Sequence, residues 1–424
     1  MAKDMPIGGQ EKPKKKEKGP YSPEDFAKKM ALARRESDSR AARIESLRTK
    51  MTKLFPNPEQ DRLWEEIDAS FDVPQVGDYH NEGMLMDTHL DTIIKNVAAI
   101  AEGSFEWPDE IPESTRRVLE NTIKKNREAV ARYTFLHDLA KKDTLRLTIS
   151  EQTPEGPKNE DVAYTWAEWQ ALVPEDVRHN PVKLLEFMQG QDQTRKIVGI
   201  SYFHQTGDKT PSGGKVAEGR KHGESGSEAI RALGETSVDE LTLKAIANHE
   251  VAYSFSAPNV DTYNKYFGGL SPDERDMVMT ASFIDTMGTV RLDGKPDISN
   301  FLALAISRGN AEALERMSQA LTSNEKLEKK KVETALLNLK KAGKPINEAA
   351  ELARLEKECR PTEYDAGKLD EMLNELVIKN TLTADEAKEI AELLLANNQA
   401  ELGKKYGRKM KDIRAVMTAS EKKD

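Results

Sequence analysis

Helix-opening signatures recur along this chain, and they constrain its fold more than any other feature. Ser22-Pro23-Glu24-Asp25 joins a serine cap, a proline at the first helical position and acids in the first turn. A serine hydroxyl accepts from the free amides there, and the fixed proline φ suits the first turn. The helix is expected to run to about Leu54, where Pro56 and Pro58 end it. Pro112-Glu113-Ser114 opens another, expected to continue to about Lys141. Ser237-Val238-Asp239-Glu240 and Ser271-Pro272-Asp273-Glu274 are capping boxes. The first leads through His249 to about Phe255, and the second into a helix that carries Asp285. Between Met84 and Gly103, Leu85, His89, Ile93, Val97 and Ile100 recur at helical spacing, and Ser225–Leu233 reads as a further helix. The fold class predicted is mainly α.

The texture changes in the middle. Leu145–Ile149 and Lys196–Phe203 are short runs with β-branched and aromatic residues, the pattern of strands. Pro- and Gly-rich turns and an amphipathic Trp-bearing piece, Thr165–Val173, lie between them, and a Gly- and Lys-rich loop, Gly207–Gly223, follows. The block reads as a small β-containing insertion, 143–221, within a helical bundle domain, 77–310. Residues 22–76 form an N-terminal helical segment before it, and 311–424 a charged helical C-terminal region after it. That last region breaks near Gly343-Lys344-Pro345 and Arg360-Pro361-Thr362. Its apolar positions Leu369, Met372, Leu373, Leu376 and Val377 have helical spacing without a sustained heptad, which favours a short hairpin or bundle over a long coiled coil. Such a region suits self-association or a protein partner. Residues 1–21 are a lysine-rich tail whose composition buries too little apolar surface to order itself.

Composition excludes some classes. The net charge of −9 gives no overall attraction to nucleic acid, so a polyanion would need a local basic patch. A single cysteine, Cys359, rules out an internal disulfide and a thiolate zinc cluster, and fits a reducing compartment. No apolar run approaches the ~18 residues that span a bilayer. The lysine-rich start lacks the apolar stretch of a secretory signal. A cytoplasmic protein without membrane partners is expected.

Chemistry concentrates in a few residues. Of seven histidines, His89, His137, His222 and His249 fall at helix positions that can converge. Asp138 follows His137, and Asp285 sits on the last helix of the candidate core. Imidazole and carboxylate are ligands for divalent Mn, Fe, Ni, Co or Zn, and separate helices of a bundle can aim them at one point. A lone helical histidine is more often a packed or exposed residue than a ligand. It is the ordered set that carries the signal.

That set resembles a known family. Phe135-Leu136-His137-Asp138-Leu139-Ala140-Lys141 resembles the signature of the HD superfamily of metal-dependent phosphohydrolases. Tyr79-His80-Asn81-Glu82-Gly83, followed by Asp87-Thr88-His89, is similar to the stretch leading into the first ligand helix of HD domains attached to tRNA nucleotidyltransferases. Lys141 and Thr144 also match that pattern, and Lys221-His222-Gly223-Glu224-Ser225-Gly226-Ser227 resembles the setting of the family's third histidine. His249 falls where two-metal members place a further histidine, and Asp285 where the closing aspartate lies. The likeness spans roughly half the chain. It departs from better-defined branches: there is no Gly-Tyr-Pro segment of cyclic-di-GMP phosphodiesterases, Lys141-Lys142 stands where guanosine-tetraphosphate hydrolases carry acids, and no nucleotide-adding domain is visible.

The resemblance implies an HD-type helical bundle with one or two divalent transition metal ions. His89, His137, Asp138 and Asp285 would hold the first ion, and His222 and His249 a second, with Asp138 bridging. The implied reaction is hydrolysis of a phosphomonoester or phosphodiester, of a nucleotide or an RNA end, by metal-activated hydroxide. Asp138 and Lys141 are the candidate catalytic residues. Lys141 either takes a phosphate oxygen as a point charge or is a solvated helix-end lysine. Lys209, Lys215, Arg220 and Lys221, in the loop before His222, are candidates for substrate binding, set against a merely solvated loop. His80 is expected to pair with Glu82, His204 to pack on Trp166 or Trp169 rather than face the site, His179 to lie in a loop, Trp107 to anchor a loop, and Asp87 and Asp91 to be surface acids, with a hydrogen bond from one of them to a ligand histidine as the alternative. The alternative is a non-catalytic module of the same shape that binds a nucleotide, an RNA or a protein partner.

Overall fold

A computed structural model describes residues 23–55, 61–75, 80–190, 195–234, 238–291, 293–341, 343–396 and 398–421. The tail, Ser22, Pro56, Pro58, Gly77, Tyr79 and Ser237 lie outside the described residues. The protein is mainly α, and it forms two compact units that divide between Ser307 and Arg308.

In the first unit, α1 (Pro23–Leu54) is followed by α2 (Asp61–Ser70) and α3 (Met86–Glu102), which ends on Gly103 in the left-handed region at φ 76°. The inner face of α1 is unusual in burying Lys29, Glu36 and Arg40 beside Ala33, Leu47 and Met51. Each charge has a partner on the turn that leads into α3. Lys29 Nζ donates to Asn81 Oδ1 at 2.8 Å. Glu36 accepts from the Met84 amide (2.6 Å), the Leu85 amide (3.1 Å) and the Thr88 hydroxyl (3.0 Å). Arg40 and Arg43 both donate to Asp87. Leu85, at the N-cap of α3, has no side chain able to accept from the free helix amides, so Glu36 caps nearby amides from another helix.

Burial raises the Glu36 carboxyl to about 7; the Met84 amide pulls the other way and Asp87 adds to the rise. The folded protein therefore holds this proton more tightly than the unfolded chain. Its contribution to stability is full below the ordinary value of 4.5 and is lost as pH rises through about 7. Glu36→Gln should flatten the stability profile across that window. Urea denaturation of both proteins through it checks this, and two profiles of equal slope would refute it.

The helix expected from Glu113 to Lys141 is broken twice. It runs as α4 (Glu113–Lys125), α5 (Arg127–Leu136) and a 3-10 turn, Leu139–Asp143. The breaks fall at Asn126 (φ −116°, ψ 40°) and Asp138 (φ −105°, ψ 9°). Next come β1 (Leu145–Thr153), β2 (Gly156–Tyr164), α6 (Trp166–Leu172), α7 (Glu175–Arg178), α8 (Pro181–Met188), β3 (Arg195–Ser201), β4 (Phe203–His204) and β5 (Arg220–Lys221). The antiparallel sheet has the order β2-β1-β3, with Leu145 opposite Tyr164 and Leu147 opposite Ile200. The expectation had turns where β2 lies. Only its last three residues, Val162, Ala163 and Tyr164, are buried, so its first half carries no apolar signal. β4 and β5 pair antiparallel and return the chain to α9 (His222–Ala232).

Then follow α10 (Glu240–Asn248), a 3-10 turn His249–Ser254, α11 (Val260–Phe267), α12 (Pro272–Gly288) and α13 (Ser299–Thr322). The helix expected to reach Phe255 thus changes pitch at His249. The described cap of α10 is Asp239, which accepts from the Thr242 amide. The capping box at Ser271 and Glu274 is present. α12 packs against α3, α4 and α10 and is buried without a gap from Met277 to Thr286, the stretch that carries Asp285.

The second unit contains α14 (Lys329–Lys340), α15 (Glu348–Glu358), α16 (Ala366–Ile378), α17 (Ala384–Leu395), α18 (Gln399–Tyr406) and α19 (Met410–Ser420). The helices break around Gly343-Lys344-Pro345 and Arg360-Pro361-Thr362 as expected. Met317, Leu321, Val332, Leu355 and Cys359 form one small core, and Leu369, Leu373, Ile390, Leu394, Leu402 and Ile413 another. Among the described residues no helix is long and apolar enough to cross a membrane.

Candidate metal centre

The ends of five helices in the first unit meet at one buried cluster. His89 comes from the first turn of α3, His137 and Asp138 from the end of α5, and His222 from the start of α9. His249 follows α10, and Asp285 lies one turn before the end of α12. All six are buried. In an unbroken α-helix, neighbouring side chains point about 100° apart. Asp138 instead adopts the bridge region between helix and strand, where the chain turns into its 3-10 segment. Its Oδ2 thereby lies 3.0 Å from His137 Nε2. Asn248 (φ −120°, ψ 7°) makes the same turn just ahead of His249.

Two groups of potential ligand atoms share Asp138. In the first, His89 Nε2 lies 3.4 Å from both Asp138 Oδ2 and Asp285 Oδ1, and His137 Nε2 lies 3.6 Å from Asp285 Oδ1. In the second, His222 Nε2 is 3.2 Å and His249 Nε2 3.7 Å from Asp138 Oδ1. Within each group the atoms lie inside 4.8 Å of one another. One aspartate thus turns one oxygen to each group.

The outer nitrogens explain the orientation. Nδ1 of His89 meets the Gly288 carbonyl at 3.1 Å, that of His137 the Thr134 carbonyl at 3.2 Å, that of His222 the Tyr202 carbonyl at 3.1 Å, and that of His249 the Ile246 carbonyl at 2.7 Å. A carbonyl only accepts, so Nδ1–H donates in each case and Nε2 is the nitrogen offered inward. The Nε2 atoms of His222 and His249 stand 3.0 Å apart, a contact that needs a proton or a cation at one of them. His89 Nε2, His137 Nε2 and Asp138 Oδ1 are buried yet form no hydrogen bond of acceptable geometry, and Asp138 Oδ2 has only the ion pair with Lys141 Nζ at 2.8 Å beside its close histidines. Such groups are costly to bury, and a divalent cation would satisfy them. The donor set fits one or two borderline divalent metals.

Electrostatics agree. Burial opposes a charge on Asp138, but His137 and Lys141 hold its carboxyl well below the usual range. Asp285 is held low in the same way by His137 and His89. Burial also opposes an imidazolium at His89, yet the carboxylates of Asp285 and Glu82, each 3.4 Å from one of its ring nitrogens, raise it to about 10. Burial and the neighbouring His222 push His249 down to about 4. Without a cation, protons on imidazole balance the aspartates.

Lys141 is buried, with Nζ 2.8 Å from Asp138 Oδ2 and 4.7 Å from the centre of the Tyr202 ring, so the solvated reading of it is corrected. Lys209 is exposed and paired with Glu160, while Lys215, Arg220 and Lys221 are exposed. His80 pairs with Glu82 at 2.9 Å as expected. Glu82 also stands 3.4 Å from His89 Nδ1 and accepts from the Val290 amide, a supporting role that its sequence context left unread. Asp87 is not a surface acid: it is fully buried between Arg40 and Arg43. Asp91 pairs with Lys95. His204, expected to pack on Trp166 or Trp169, donates from Nε2 to the Leu145 carbonyl at 2.9 Å. His179 closes α7 and pairs with Asp72, while Trp107 stacks on Phe283.

Compared with protein-family models, curated proteins and solved structures, the chain matches none.

Proposed function

We propose that this chain is a metal-dependent phosphohydrolase of the HD type, acting on a phosphomonoester or phosphodiester of a nucleotide or an RNA end. The observation that carries this reading is the common direction of four imidazoles: each commits Nδ1 to a backbone carbonyl and offers Nε2 to a carboxylate-lined point. Divalent cations held there would supply activated hydroxide and neutralise charge on the phosphoryl oxygens. His89, His137, Asp138 and Asp285 would hold one ion, and Asp138, His222 and His249 another.

The remaining roles belong to the chain itself. Lys141 places an ammonium beside Asp138, within reach of a phosphate oxygen brought to the cluster. Asp138 keeps that ammonium oriented. Glu82 steadies His89 from the side away from the cluster. Lys221, next to His222, and Lys215 and Arg220 are exposed and are available to a longer anionic substrate.

The test is direct. Protein incubated with Mn or Ni and desalted should retain one or two ions per chain. It should release p-nitrophenol from a mono- or diester, and chelation should abolish this. Retention of no metal, together with phosphate-ester binding that survives chelation, would favour the non-catalytic alternative.

A further inference from the structure

Tyr202, a residue of the insertion 143–221, packs against the metal centre. It sits buried on the bend between β3 and β4. Three segments that meet at the cluster hold it. Lys141 Nζ stands over the face of its ring, 4.7 Å from the ring centre. Its carbonyl accepts from His222 Nδ1 at 3.1 Å. Its hydroxyl donates to the Pro74 carbonyl. Pro74 pairs with Leu85, the N-cap of α3, so this last bond ties the ring to the entry of the helix that bears His89. The rings of His80 and His222 stand nearly perpendicular to that of Tyr202, each 6.3 Å away between centres.

Lys141 gains from such a neighbour. It is buried, and it also pairs with Asp138 Oδ2 at 2.8 Å. The same oxygen lies 3.4 Å from His89 Nε2 and 3.0 Å from His137 Nε2, within the first group of candidate ligands. A divalent cation in that group draws on the carboxylate charge that Lys141 uses, and a buried ammonium with a weakened partner is costly. An aromatic face within about 6 Å attracts an ammonium through the negative charge of its π system. The ring carries no net charge, so it does not repel an incoming anion. An ammonium has three N–H donors: one toward Asp138 and one toward the ring leave a third for a phosphoryl oxygen.

We infer that Tyr202 is a positioning residue, whose ring face keeps the Lys141 ammonium at the metal centre, set to receive a phosphoryl oxygen. The inference rests on the phosphohydrolase reading for the nature of the anion, but capture of phosphate itself requires no turnover.

Binding of inorganic phosphate to the Mn-loaded full chain tests it, with Mn content and p-nitrophenyl ester turnover measured in parallel. Tyr202→Leu removes the ring but keeps the backbone carbonyl that anchors His222. Mn content should therefore hold while phosphate affinity falls roughly 5- to 30-fold. Tyr202→Phe keeps the ring and should recover most of that loss. Fluorination of the phenylalanine ring drains negative charge from its face at nearly constant shape, so affinity should fall again as fluorines are added. Lys141→Met should lose at least as much as Tyr202→Leu, and adding Tyr202→Leu to it should cost little more, because both act through one ammonium. Affinity indifferent to Tyr202→Leu, losses that add in the double variant, or no phosphate binding by the wild type would each overturn the role. Should Tyr202→Leu also lose Mn, the fluorinated rings, which leave the packing in place, decide alone, and affinity that ignores them rejects the role. Ring-dependent phosphate binding without any ester turnover would remove the hydrolase reading and leave the positioning role standing. Turnover with a phosphate affinity indifferent to the ring would do the reverse.

Discussion

Asp138→Asn is expected to reduce phosphoester turnover by at least about a thousandfold and to lower metal content at both groups. The side chain keeps its shape but loses its charge and one acceptor. Its new N–H hydrogens must face either His89 and His137 or His222 and His249, since the two carboxylate oxygens divide between those pairs. Lys141 also loses the partner now 2.8 Å away, and an unpaired buried charge costs about 3–5 kcal/mol. Asp285→Asn is the matched control. Among the described histidines Asp285 comes within ion-pair distance of His89 and His137 but not of His222 or His249, so its loss should deplete one ion rather than two. Elemental analysis of desalted protein and kcat on a p-nitrophenyl ester check both variants. Unchanged metal stoichiometry in Asp138→Asn would sink the assignment.

Much of this arrangement was legible in the sequence, and the reasons differ by feature. Helix starts were readable where a cap and its partner lie within four residues, as at Ser271 and Glu274. The six cluster residues were readable from their types and order, because a bundle needs only helix spacing to bring them together. The breaks at Asn126 and Asp138 were not, since no Gly or Pro marks them and the apolar pattern runs on through Phe135-Leu136 and Leu139-Ala140. Yet the second break is what lets His137 and Asp138 face the same point. The burial of Asp87 was hidden because its partners, Arg40 and Arg43, stand 47 and 44 residues away. The carbonyls that orient the histidines are backbone groups, so no side-chain type announces them.

Those carbonyls make two glycines critical. Gly288→Ala and Gly223→Ala are each expected to leave the chain folded but to disable one group of ligands. A Cβ at Gly288 would lie 2.8 Å from His89 Cε1 and 2.5 Å from Ile93 Cγ1, while the carbonyl of that same residue anchors His89 Nδ1. Ile93 can turn, but His89 cannot yield without leaving its anchor or Asp285. A Cβ at Gly223 would lie 2.8 Å from the Ile246 carbonyl oxygen, the group that holds His249 Nδ1, and 3.1 Å from His249 Cε1. Here the obstacle is backbone, so α9 and α10 must separate. Overpacking of this kind costs about 1–3 kcal/mol, and displacement of a reacting group by about 1 Å can cost roughly 100-fold in rate. Gly288→Ala should deplete the ion of the His89 and His137 group, and Gly223→Ala that of the His222 and His249 group. Electron paramagnetic resonance of the Mn-loaded proteins distinguishes a coupled pair of ions from a single one, and thermal melts report the packing cost. If both variants keep a coupled pair and the wild-type rate, the imidazoles have room to move, and close backbone packing does not set their direction.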